Sequence, residues 1–298
     1  MRVLAGFWLV TWVNAQPPAV DLLRRVAEEA DVMQQNLPKA LSQETLEQRA
    51  LLPPSRFRPR IGDGAEGAAA PRMLVREVVS DYTVGLLKQS SSPTLVEYRQ
   101  VLSVDGQPVQ SEEKAQKALS AGVRSLDDRL RRRMLEDFAK NGLVDVATDY
   151  GLILLEFSKS GQQDLEIRQA GEDRVGADEA LIFSWRQKSA ANGELEFIGR
   201  KAARVPLSGR LWVRASDGVP LRIESSAEHT QSDHRIRDDA TVEYTMTSRG
   251  FVAPASVLHR HLVDGHLLTE NRYTYSPFRV FAADAEIKFT GIPDPARK

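Results

Sequence analysis

The sequence predicts an α+β protein: a strongly curved antiparallel β-sheet, an incomplete barrel, with helices packed on its concave side. Three observations carry this expectation. After Gly161 nearly every segment alternates β-type residues, with turn residues at short intervals, so consecutive antiparallel pairing is the simplest topology. Helical spacing is confined to a few stretches before residue 142. Finally, Gly209 to Glu224 reads as two short strands joined across Asp217-Gly218, residues that tolerate the positive φ of a tight turn. Pro220 stands at the start of the returning strand, where a missing N–H does little harm.

Taken in order, Met1-Arg2, the apolar run Val3 to Val13 and the end Val13-Asn14-Ala15 have the three parts of a secretory signal peptide, residues 1–15. The run of eleven residues is too short to span a bilayer. A buried N-terminal helix or strand is the competing reading of the same residues. Residues 16–298 are then expected to form a single half-barrel domain. Asp21 to Gln35 places Leu22, Leu23, Val26, Ala27, Ala30 and Met33 at helical spacing, and Pro38 closes that helix. Lys39 to Ala50 alternates weakly and reads as a strand. Residues at about 52–72, with Pro53, Pro54, Pro59, Pro71 and several Gly and Ala, read as a flexible loop.

Leu74 to Leu87 and Thr94 to Val104 are predicted strands, with Asp105-Gly106 as the following turn. Ser111-Glu112-Glu113 opens a helical stretch and Ser125 with Asp127 and Asp128 opens another, whose Leu126, Leu130, Met134 and Phe138 recur every four positions. Asn141-Gly142 ends it. Tyr150 to Phe157 is an apolar run that periodicity assigns to neither strand nor buried helix. Strands are then expected at Asp164 to Gln169, Ala180 to Arg186, Glu194 to Lys201, Leu207 to Arg214, Leu221 to Glu228, Thr241 to Ser248, Ala255 to Val263 and Leu267 to Tyr275.

Composition narrows the partners. Lys plus Arg total 40 against 41 Asp plus Glu, a net charge of −1, so no whole-protein field draws nucleic acid or an anionic membrane. Cysteine is absent, which removes a disulfide framework and the lipid-modified cysteine of a bacterial lipoprotein. No second apolar run is long enough to cross a membrane, so the expected product is a soluble periplasmic or secreted protein, with no nucleic-acid partner and no transmembrane segment.

The hairpin Gly209-Arg-Leu-Trp212-Val, Asp217-Gly218-Val-Pro220-Leu-Arg-Ile-Glu224 resembles that of the periplasmic Lol-type lipoprotein carriers and the RseB-type sigma-E regulatory proteins. That resemblance implies a curved half-barrel whose helices close over an apolar cavity for acyl chains. Val78 to Tyr82, Glu97-Tyr98-Arg99, Val104 to Val109 and Tyr273 to Arg279 are similar to a group of secreted proteins of soil bacteria, to which no activity attaches. One departure is visible: Arg214-Ala215-Ser216 stands where an acidic residue and a regular turn are usual in the Lol-type pattern.

Catalytic signatures are scarce. Ser111-Glu112-Glu113-Lys114 has Ser-x-x-Lys spacing without its Ser-Asp-Asn or Lys-Thr-Gly companions, so Ser111 is read as a helix N-cap. Gly-x-Ser-x-Gly, His-Glu-x-x-His, a P-loop and a dinucleotide fingerprint are all missing. If Asp264-Gly265 forms a two-residue turn, His259, His261, His266 and Glu270 fall on one sheet face, a donor set that suits zinc. Strand neighbours ~6 to 7 Å apart are wide for one ion, so a solvated face with a cross-strand His–Glu pair is the preferred reading, with no metal or other cofactor. Arg124, Arg129, Arg131, Arg132 and Arg133 form a local basic run, read as a solvated helix face rather than a phosphate grip.

The stripes Leu181, Phe183, Trp185 and Val242, Tyr244, Met246 would line the cavity of a half-barrel, with Trp212 between Arg210 and Arg214 at a rim. The expected function is non-enzymatic binding of an acyl chain or a lipidated protein by these seven residues. Two alternatives follow from the same sheet: an envelope-sensing or protein-interaction module with a filled core, and a metal-dependent hydrolase.

Overall fold

The computed structural model describes residues 19–52, 71–89, 92–124, 129–190, 194–198 and 201–280. The signal-peptide reading and the Pro/Gly/Ala-rich loop at 53–70 lie outside the described residues.

Helix α1 spans Ala19–Asn36, with Leu22, Val26, Ala27, Ala30 and Met33 buried on the stripe that the spacing predicts. Pro38 stops it in a single 3-10 turn, Leu37–Lys39, because its ring cannot continue the helix. Strand β1, Ala40–Leu52, follows and becomes the middle of the sheet. β2 (Arg72–Gln89), β3 (Ser92–Val104) and the short β4 (Gln107–Pro108) continue outward by consecutive antiparallel pairing. α2 (Glu112–Arg124) packs on β2 and β3, and Ser111 caps it, the Lys114 N–H donating to Ser111 Oγ at 3.4 Å. α3 (Arg129–Lys140) ends at Asn141-Gly142, with Gly142 at φ +78°.

The undecided run Tyr150–Phe157 is neither strand nor α-helix but an eight-residue 3-10 helix. Strands β5 (Leu165–Val175), β6 (Asp178–Gln187), β9 (Ser208–Arg214), β10 (Pro220–Gln231), β11 (His234–Met246), β12 (Val252–Val263) and β13 (His266–Tyr275) make the other half of the sheet. A two-residue β14, Arg279–Val280, pairs with the start of β1. The one expected strand from Glu194 to Lys201 is instead a hairpin, β7 (Glu194–Ile198) and β8 (Lys201–Val205), in a sheet of its own.

In space the strands run β4-β3-β2-β1-β13-β12-β11-β10-β9-β6-β5, and the two ends do not meet. The result is the expected curved, unclosed antiparallel barrel. The hairpin at 209–224 forms as read, with β9 and β10 paired and Pro220 opposite Val213. Its turn is wider than two residues: Gly218, at φ +77°, donates its N–H to Arg214 O at 2.9 Å, and α1 packs so closely that a Cβ there would lie 2.7 Å from Arg25 Cβ. One core runs from α1 through the Tyr150–Phe157 segment to the inward side chains of the sheet.

Candidate binding face

Antiparallel register lays the inward side chains in rows across the strands. One row is apolar: Phe183, Leu211, Ile223, Val242, Val257, Tyr273, Leu46 and Val78 stand opposite one another from β6 to β2. The adjacent row runs Trp185, Gly209, Ser225, Ala240, His259, Asn271, Gln48 and Arg76. The concave face therefore carries an apolar band beside a row that is polar from His259 through Asn271 and Gln48 to Arg76.

The Tyr150–Phe157 segment covers that face. Leu154 and Phe157 are fully buried, Phe157 packs edge-on to Trp185 with ring centres 5.4 Å apart, and Tyr150 lies against the His259 imidazole at 4.8 Å. The Leu154 N–H donates to the Tyr244 hydroxyl at 3.1 Å. A 3-10 run of this length is uncommon because its hydrogen-bond geometry is poor. Here the side chains of the sheet hold its leading end. Glu97 on β3 accepts the Asp149 N–H at 2.7 Å and the Gly151 N–H at 3.2 Å, while Asp149 Oδ1 accepts the Glu97 N–H at 2.8 Å. Asp149 sits at φ +69° to make this reciprocal contact, and its other oxygen pairs with Arg131 of α3. Gly151 leaves room for this contact, since a Cβ would fall 2.6 Å from Glu97 Oε1 and force the carboxylate to shift.

Beneath the latch lies a buried charge network. Arg99 donates from Nε to both oxygens of Glu44, at 2.7 and 2.9 Å, and from Nη2 to Glu97 at 2.8 Å, and all three side chains are about 1% exposed. The rings of Tyr82 and Tyr273 sit 5.2 and 5.1 Å from the guanidinium carbon. Burial works against the charged guanidinium, but Glu44 and Glu97 hold its pKa well above the ordinary arginine value. Burial likewise lifts Tyr82, Tyr273 and Tyr275, so these hydroxyls stay protonated at any physiological pH.

The histidines are arranged differently from the sequence expectation. The two-residue turn at Asp264-Gly265 forms, with φ of +52° and +80°, and Val263 pairs with His266 as predicted. A bulge between His261 and Leu262 then shifts the register by one residue, so His259 stands opposite Asn271 and His261 opposite Thr269. Glu270 consequently pairs with Arg260 at 2.8 Å, and His266 is exposed. The four residues thus do not share a face, and the zinc arrangement that the hydrolase alternative drew on is not formed. In place of Glu270, Asp238 of β11 bridges His259 Nε2 at 3.0 Å and His261 Nδ1 at 2.8 Å through one oxygen. Burial raises the Asp238 pKa, but the two histidine hydrogen bonds win and hold it at about 2. Asn271 and Gln48 tie this row to the loop ahead of the covering segment, through Asp145 O at 2.9 Å and Val144 O at 2.7 Å.

Of the seven residues expected to bind a ligand, Leu181, Phe183, Trp185, Val242 and Tyr244 are inward, buried and part of the core. Met246 lies past the point where β12 bulges at Ala255 against β11 and is 43% exposed. Trp212 is not at a rim: it is buried on the outer face with Ala180 and Leu221, its indole N–H donating to Asp173 at 3.0 Å between the guanidinium groups of Arg210 and Arg222. In the basic run, Arg131 is committed to Asp149 and Thr148. A separate groove of about 320 Å³ lies between α1 and the segment after the 3-10 helix, lined by Val20, Leu23, Arg24, Ala27, Lys159 and Gln162. Among the described residues no group of three His, Asp or Glu side chains is placed to hold a metal ion.

Sequence reasoning missed the latch residues Glu97, Asp149 and Gly151, and it missed Asp238. Glu97-Tyr-Arg99 did carry a signal, since two opposite charges two apart on a strand point inward together.

Sheet, covering segment and latch define a half-barrel whose concave face is covered by the Tyr150–Phe157 segment. No protein-family profile matches the chain, and no curated protein matches it in sequence. Solved structures are similar at low scores. A domain described as an outer membrane lipoprotein-sorting protein from Vibrio parahaemolyticus is 7% identical, with a TM-score of 0.34 over 87% of this chain and 91% of that one. A DUF1329 family protein from Desulfovibrio piger is 10% identical, with a TM-score of 0.34 over 87% and 93%. MucB, in its complex with the periplasmic part of MucA, is 8% identical, with a TM-score of 0.20 over 88% and 99%. Among the described residues no helix is long and apolar enough to cross a membrane.

Proposed function

We propose that the protein is a non-enzymatic interaction module of the periplasm or extracellular space, which binds an envelope protein through its outer surface while its own side chains fill the half-barrel. The observation that carries this reading is the continuous core from α1 through Tyr150–Phe157 to the concave face, in which Leu154 and Phe157 are fully buried. The outer face offers an apolar contact surface: Met73 and Val75, 50% and 54% exposed, stand opposite Leu51 and Arg49 on the side away from the core. A photo-crosslinking residue placed at Val75 in cells that naturally make the protein should yield one discrete protein adduct, lost on Met73→Glu, with no stoichiometric lipid in an extract of the purified chain. Stoichiometric lipid, or the lack of any adduct, would count against it.

A second reading is binding of an acyl chain or lipidated protein on the concave face. It is favoured by the 3-10 segment, which covers the apolar row and is held at its leading end by side-chain latches. Ligand entry would then require this segment to leave. A thermal shift with dodecanoate, together with copurified lipid, would select this reading over the first.

A further inference from the structure

The two edges of the large sheet are finished in opposite ways. At the β3 edge, side chains take the place of a neighbouring strand: Asp149 Oδ1 accepts the Glu97 N–H at 2.8 Å, Met134 Sδ accepts the Arg99 N–H at 3.2 Å, and Gln110 Nε2 donates to Val101 O at 2.7 Å. β4 closes the remainder of that edge. At the other end β5 pairs with β6 alone, and no strand among the described residues covers its outer edge.

Open edges are a hazard that proteins usually blunt with charge or a bulge. β5 has both, but its charges do not repel a second copy. Glu166 and Arg168 lie on the outer face, opposite Arg186 and Ser184 of β6, with Ile167 between them on the inner face opposite Trp185. A two-fold axis through Ile167 would set Glu166 of each copy against Arg168 of the other, and Ile167 against Ile167. Residues directly opposite in an antiparallel pair share a face, so both charge contacts are geometrically allowed. Arg168 has no ion partner among the described residues, whereas Glu166 is held by Arg186 at 2.7 Å. The charge pattern of this short edge is thus self-complementary and lacks one partner, which the second copy supplies. The register shift around Ala170 ends the run, so only residues 165–169 can pair before the bulge turns the strand.

We propose that this chain forms a two-fold dimer by antiparallel pairing of β5, residues 165–169, centred on Ile167. Such an interface is isologous and closed, so it stops at two copies. Each dimer carries two copies of the outer apolar face, for a partner that has two sites. The pairing does not depend on the identity of that partner.

Sedimentation equilibrium of the purified mature chain tests the proposal. Wild type should show a reversible monomer–dimer equilibrium at up to about 100 μM, weakened by salt. Arg168→Glu should weaken dimerisation by about tenfold or more, and Glu166→Arg with Arg168→Glu and Arg186→Glu in the same chain, which keeps an opposite charge across from residue 166, should restore it to within about threefold of wild type. All three positions are solvent-accessible, and circular dichroism with thermal midpoints confirms that each variant is folded. A monomeric wild type, a dimer indifferent to Arg168→Glu, or a triple variant that stays monomeric would each overturn the proposal.

Discussion

Replacing Glu97 by Gln alters the latch with almost no change of shape. In the wild type one carboxylate oxygen takes the Asp149 N–H and Arg99 Nη2, and the other takes the Gly151 N–H and the Tyr82 hydroxyl. An amide offers one acceptor and one N–H₂, so on one side a donor must face donors, and Arg99 loses one of its two buried carboxylates. Breaking a buried ion pair costs about 3–5 kcal/mol, and a buried N–H left unsatisfied about 1–3 kcal/mol. Both losses involve the same carboxylate and do not add, and Arg99 keeps Glu44. The expected destabilisation is therefore near the lower end, about 3 kcal/mol. Urea unfolding should show a lower midpoint with an unchanged slope, and the amides of Tyr150 to Leu154 should exchange faster while those of β10 and β11 keep their relative protection. A loss under about 1 kcal/mol with unaltered protection at Tyr150 to Leu154 would refute the assignment of Glu97 as the latch.

Three further outcomes follow from neighbouring geometry. Gly151→Ala puts a Cβ 2.6 Å from Glu97 Oε1 and should cost about 2 kcal/mol or more, by calorimetry, with the same local rise in exchange as Glu97→Gln. Asp238 has a folded pKa of about 2 against an ordinary 3.8, so its contribution is complete above pH 4 and disappears as pH falls toward 2, amounting to about 2 kcal/mol; Asp238→Asn should lower stability at pH 6 by that order, and the gap to wild type should close in the acid limb of a stability–pH curve. Gly218→Ala combines a φ of +77° with a Cβ 2.7 Å from Arg25 Cβ, and thermal unfolding should register a loss of about 2 kcal/mol, together with faster exchange in α1.

Much of the fold was legible because local chemistry and tertiary demand agree. The stripe of α1, the stop at Pro38, the turns at Asp105-Gly106 and Asp264-Gly265 and the hairpin ending at Pro220 each follow from a residue that leaves the backbone little choice. Where those residues were missing, the reading went astray or stayed open. Tyr150–Phe157 is apolar on every side, so periodicity is silent, and its 3-10 form is set by Glu97 and Tyr244, which lie far away in the chain. The histidine face was misplaced by a bulge at Leu268, the extra residue on β13 between the Leu262–Leu267 and His261–Thr269 pairs, which shifts every pair beyond it by one and has no signature in Leu267-Leu268. Trp212 was read as a rim residue because two arginines flank it, although Arg210 and its cross-strand neighbour Arg222 bury the ring by stacking on it.

Hydrogen exchange across Tyr150–Phe157, measured on the purified protein with and without dodecanoate, bears most directly on whether the concave face is permanently filled. A filled half-barrel requires these amides to exchange as slowly as those of β10 and β11 and to be unaffected by the fatty acid. Rapid exchange in this segment, or opening induced by dodecanoate, would contradict the filled core and make the face a ligand site.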